Sequence, residues 1–250
     1  AEAAQAKSEE DDIAHRIIDG ARQVLGQVSE IAAPYEITSP PLDLGNLSQM
    51  DRLVRALSDA GATDTLENWV YGFGVQLNPE VVSLEASSIL RYLQSYMLLN
   101  DWLRSEIAVD VTRRVLPFAD PFPAAYRARI LAADYSPSLT ELIDDYLADN
   151  PTRNRDLDML PLFTYLDEDR VAAAIDDGLT KSRPTFHYRL PDCRLNDPKW
   201  SVTAEWNRWA YVERLAEDRE RLRSMADAWM KREWDGSFAS WVESVREWIS

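Results

Sequence analysis

The stretch Arg183-Pro184-Thr185-Phe186-His187-Tyr188-Arg189-Leu190 alternates in chemistry with the two-residue period of a β-strand. Phe186, Tyr188 and Leu190 fall on one face, and Thr185, His187 and Arg189 on the other. The first face predicts contact with a core. An imidazole and a guanidinium side by side on the second ask for polar partners or an anionic ligand. The chain has only two histidines, and this strand carries one of them.

Two segments far away in sequence repeat the pattern. In Tyr35-Glu36-Ile37 the glutamate points away from its apolar neighbours. In Gly74-Val75-Gln76-Leu77-Asn78, Val75 and Leu77 share one face while Gln76 and Asn78 share the other. If the three pair in one sheet, Glu36, Gln76, Asn78, His187 and Arg189 converge and line a cleft. Each strand alone reads more readily as half-exposed, with its polar side toward solvent; the combination is what points to a cleft. Gly72 and Gly74, around Phe73, either admit a close approach by backbone or ligand or mark a bulge.

Asn150-Pro151-Thr152-Arg153-Asn154-Arg155-Asp156 is the strongest basic element. Thr152 is the expected cap of a helix carrying Leu157, Leu160 and Phe163, disturbed at Pro161. There Arg153 and Arg155 would add guanidinium forks to free backbone N–H groups and the positive dipole end, which suits phosphate or carboxylate. The competing reading is salt bridging to Asp156, Asp158 or nearby acids.

Other elements follow from periodicity. Residues 12–28 form an amphipathic helix after a polar start, and "APYEITSPP" (33–41) reads as a strand stopped by Pro40 and Pro41. Asn46 or Ser48 caps a helix that Gly61 closes, and residues 68–80 form a second strand. A long helix covers about 85–104. Ser138 followed by Glu141 predicts a capping box. The C-terminal fifth is helical and, counted from Trp200, holds seven of the nine tryptophans; Trp234, Trp241 and Trp248 share a face with Phe238, Val242, Val245 and Ile249, which predicts a packing stripe.

The 250 residues, 46% hydrophobic, suffice for a sizeable core. A net charge of −16 and a pI near 4.5 argue against a nucleic-acid or anionic-membrane surface, though not against a small anion held by local arginines. The single cysteine, Cys193, excludes an internal disulfide framework and fits a reducing, cytoplasmic setting. No run of about 18 apolar residues is present to span a membrane. Glycine-rich phosphate loops, His-Glu-x-x-His and Gly-x-Ser-x-Gly do not occur.

The segments "PYEITSPPL" (34–42), "YGFGVQLNPEV" (71–81), "NPTRNRDLDMLPLF" (150–163) and "RPTFHYRLPD" (183–192) resemble, in order and spacing, the amidoligase family of carboxylate–amine ligases, related in fold to glutamine synthetase and glutamate–cysteine ligase. The resemblance implies an α+β fold, a small curved antiparallel sheet surrounded by many helices, and amide or peptide bond formation from ATP, with Mg²⁺, through an acyl phosphate. Carried over, Glu36 resembles a metal ligand. Gln76 and Asn78 stand where a Gly-x-His-x-His-like strand has its histidines. Arg189 resembles the phosphate-contacting arginine of a Glu-x-Arg strand, in which His187 replaces the glutamate. The expected site therefore has Arg189 and His187 as catalytic residues, Arg153, Arg155, Arg183, Gln76 and Asn78 binding substrate or phosphate, and Glu36 on the metal.

The family's opening strand carries a Glu-x-Glu-like ligand pair, and nothing before Glu36 supplies it; "SEEDD" (8–12) is too polar for a core strand. The expectation is a fold lacking its first strands, hence a ligase or a fragment of one. The expected organisation is a polar tail and helix (1–29), the amidoligase-like domain (30–223) and Trp-rich helices packed on it (224–250). The partners are small carboxylate and amine substrates, including a peptide, in a chain free to oligomerise. The rival reading is a non-catalytic interaction module using the acidic surface and the Trp-rich helices. A hydrolase built on His187 lacks a nucleophile to pair with it.

Overall fold

The computed structural model describes residues 37–62, 74–107, 120–175, 178, 180–231 and 237–249. Among them nine α-helices and a small two-stranded antiparallel sheet make an α+β protein, as expected. They fall into two units, residues 1–73 with 193–206, and residues 74–192 with 207–250.

In the first unit, α1 (Ser48–Asp59) buries Leu53 and Gln49. Gly61 follows its C-cap at φ +82°, a left-handed conformation that glycine adopts without strain. The Asp51 carboxylate accepts hydrogen bonds from the Thr203 backbone N–H and hydroxyl, and the Ser58 hydroxyl donates to Asn196. Residues 37–40, expected to end a strand, are exposed and take no strand conformation, because Pro40 and Pro41 remove the donors a ladder needs. Glu36 and the helix over 12–28 lie outside the described residues.

The second unit is built around α2 (Ala86–Ile107), whose Ile89, Leu93, Tyr96, Met97, Leu98, Leu99 and Leu103 are buried on every side. A helix buried over most of its circumference sits inside. It packs against α3 (Ala124–Leu131), α4 (Leu139–Asp149), α8 (Arg219–Lys231) and α9 (Phe238–Ile249). The start of α4 carries the expected capping box, Ser138 and Glu141 each accepting the other's backbone N–H. On α9, Trp241, Val242 and Val245 are buried, and the Trp241 indole donates to the Leu98 carbonyl at 2.9 Å. Trp234 lies outside the described residues. No described tryptophan is among the exposed large side chains.

β1 (Leu157–Asp158) pairs antiparallel with β2 (His187–Tyr188), Leu157 opposite Tyr188 and Asp158 opposite His187. On its other side the 183–192 segment takes backbone hydrogen bonds with residues 75–81, antiparallel, Leu77 opposite Tyr188. The helix expected from Thr152 is therefore corrected: residues 150–156 turn and run into β1, with the Thr152 hydroxyl accepting from the Asn154 N–H and Arg155 pairing with Asp120. The helix begins instead at α5 (Leu160–Leu166), where Pro161 sits in the first turn. No intrahelical donor is needed there, so the proline starts a helix rather than disturbing one. α6 (Glu168–Ala174) follows, and α7 (Val202–Glu217) contributes residues to both units.

The apolar face read from the sequence is the face that meets the core. Phe186 stacks on Tyr92 with ring centroids 5.3 Å apart, and Tyr188 lies 5.3 Å from Trp209 and 5.8 Å from Tyr96. Leu190 is fully buried.

Candidate functional site

Because opposite residues in an antiparallel pair share a face, the two-residue period places Gln76 and Asn78 with Thr185, His187 and Arg189, and Asp158 with His187. The side chains meet as the backbone register requires. The Gln76 amide nitrogen lies 2.7 Å from the Asn78 side-chain oxygen and 3.1 Å from His187 Nδ1. An Arg189 guanidinium nitrogen donates to Asp158 Oδ2 at 2.8 Å, and Asp158 Oδ1 accepts the Leu160 N–H. Gln76 and Asn78 are exposed, while His187 is only 7% exposed.

Electrostatically the face is cationic around a neutral imidazole. Burial, followed by the charges of Arg189, Arg183 and Arg153, pushes the His187 pKa from 6.5 down to about 4. The imidazole is neutral at pH 7. Its Nε2 is sealed from solvent and has no hydrogen-bond partner among the described residues, and the same holds for the Thr185 hydroxyl oxygen. Unmade hydrogen bonds at buried polar atoms are uncommon and costly.

The arginines divide by role. Arg153, Arg183 and Arg189 bear on His187. Arg155 is engaged elsewhere: its Nε donates to Asn150 at 2.9 Å and its Nη1 to the Pro121 carbonyl at 2.8 Å, which staples the turn before β1. Asp156, fully buried, accepts from Asn100 at 2.7 Å and from Arg104 at 2.6 Å. The structure thus brings together Gln76, Asn78, His187, Arg153, Arg183 and Arg189, and adds two residues not assigned a role from sequence, Thr185 and Asp158. Thr185 was legible as the third member of the polar face. Asp158 was legible only as one of several acids near the basic segment. A groove of about 1070 Å³ in the same unit, lined by Tyr92, Glu213, Arg214, Glu217 and Asp218, holds none of these residues.

A family model described as "Putative amidoligase enzyme" matches residues 2–211, and the chain belongs to this family of ligase-type enzymes. No curated protein and no solved structure matches the chain.

The implied ATP and Mg²⁺ fit this face unequally. A phosphoryl group suits the three arginines and the unsatisfied Nε2 and hydroxyl. Mg²⁺ needs oxygen ligands, chiefly carboxylates. Among the described residues no group of three metal-capable side chains assembles, and the carboxylates of Asp156 and Asp158 are each taken up by an arginine. The described face fits an anion and not a divalent cation. No described helix is long and apolar enough to cross a membrane.

Proposed function

We propose that the chain is an ATP-dependent carboxylate–amine ligase with a glutamine-synthetase-like sheet, and that the face of Arg153, Arg183, Arg189 and His187 holds the reacting oxyanion. Support comes from membership of the amidoligase family together with one observation, three guanidiniums bearing on a neutral, buried histidine with an unsatisfied nitrogen. ATP supplies the phosphoryl group. A substrate carboxylate oxygen attacks it, ADP leaves, and an acyl phosphate forms. An amine then attacks the acyl carbon, phosphate departs, and the amine proton is lost to give an amide. Arginine forks serve both steps because each has oxyanion charge to stabilise. Arg189, oriented by Asp158, and the more exposed Arg183 are the residues assigned to that charge.

The test is phosphate release from ATP with Mg²⁺, across a panel of carboxylates and amines. Release is expected only when both are present. Arg183→Ala is expected to lower kcat/KM at least about 10-fold, the loss of one charge-assisted contact. Unchanged release in a folded Arg183→Ala variant would overturn the assignment, and phosphate release independent of the amine would overturn the ligase reading.

A further inference from the structure

We infer that Asn78 and Gln76 act through His187, fixing its imidazole as a neutral Nε2–H donor which, with the Thr185 hydroxyl, completes an oxyanion hole among the three arginines. This rests on the anion-binding part of the reading above. The Gln76 amide nitrogen has protons to give and no lone pair to accept with. Within reach it has two acceptors, the Asn78 oxygen at 2.7 Å and His187 Nδ1 at 3.1 Å. Nδ1 must therefore offer its lone pair, which leaves the single proton of the neutral ring on Nε2.

The charges that bear on this ring are all guanidiniums, with no carboxylate among them. Nε2 and the Thr185 oxygen are both buried and without a partner among the described residues, on a face surrounded by guanidiniums. Thr185 and His187 are two apart on one strand, so they share that face. Asp158, the carboxylate opposite His187, has one oxygen on Arg189 and the other on the Leu160 N–H. A ligand oxygen supplies the missing acceptor. Neutral donors add to the arginines without adding charge repulsion, and two of them set a geometry that arginines on flexible stems do not. The ligand is an oxyanion, either carboxylate or phosphoryl. Gln76 and Asn78 are then positioning residues rather than direct substrate contacts.

Long-range ¹H–¹⁵N NMR of the His15→Gln chain isolates the His187 ring. The expected pattern is the Nε2–H tautomer, with Nε2 shifting on addition of inorganic phosphate or of acetate; whichever shifts it at lower concentration names the source. Gln76→Glu places an acceptor beside Nδ1, and is expected to move the proton there and to weaken the effective anion at least about 10-fold, the worth of one hydrogen bond to a charged group. Thr185→Val should weaken it similarly with the tautomer unchanged, and Arg183→Ala likewise. An Nδ1–H ring in the parent chain, or full anion affinity in both Gln76→Glu and Thr185→Val, overturns the inference. Because Gln76 is exposed, its variant tests the idea without touching the core. The tautomer and anion results hold whether or not ATP is turned over, so failure of the ligase assay alone sinks the ligase reading and leaves this one standing.

Discussion

Acidification provides the sharpest test of the electrostatics at His187. In the folded chain its pKa lies near 4, against 6.5 when unperturbed. Between these values the unfolded chain binds a proton that the native chain does not. Stability therefore rises with pH across the window, and falls as pH is lowered through it. The loss begins near pH 6.5, runs at about 1.4 kcal/mol per pH unit, and levels off near pH 4 after about 3 kcal/mol. At 7% exposure little solvent remains to screen it. The assay is urea unfolding of the parent chain and of His187→Gln at half-unit steps of pH. Taking the difference between the two removes His15 and most carboxylates, which titrate in both. The difference should shrink steadily from pH 6.5 to 4.5, and inorganic phosphate, which favours the protonated ring, should flatten it. A difference that stays constant, or grows on acidification, refutes a buried neutral imidazole among arginines.

The Asp156–Arg104 pair should behave as a buried ion pair: Asp156→Ala costs about 3–5 kcal/mol, while Asp156→Leu with Arg104→Met recovers most of it. A double variant as unstable as the single, in urea unfolding, would contradict that. Trp241→Ala should lose about 3–5 kcal/mol, because it empties a core site. Trp248→Ala, on the half-buried flank of the same helix, should lose clearly less; equal losses would mean that α9 does not pack as described. Arg155→Ala should lower the melting temperature more than it lowers anion affinity, since its guanidinium holds the turn before β1, and the reverse ranking would return Arg155 to the binding set.

Local signals mislead where they compete with pairing elsewhere in the chain. Thr152 has the chemistry of a helix cap, and Leu157, Leu160 and Phe163 have helical spacing. What intervened is the ladder to His187 and Tyr188, which draws Leu157 and Asp158 into a strand. That partner lies some 30 residues downstream, and no local window contains it. Pro161 disturbs a helix that starts at Thr152, but sits in the first turn of one that starts at Leu160. The "APYEITSPP" strand lost its described end to its own prolines.

Periodicity by itself determined which residues of 183–190 and 74–78 face the core, because alternation along a strand follows from backbone geometry alone. The same holds for the buried stripe of α9 and the capping box of α4, whose causes lie within a few residues of chain. Only the tertiary structure decided that Gln76 reaches His187, that Asp158 takes Arg189, and that Arg155 serves the turn. These depend on which strand edges meet and in what register. It also decided the state of the imidazole. The sequence shows a histidine between two arginines of its own segment, but neutrality at pH 7 comes first from burial, and the fold adds Arg153 from a distant segment.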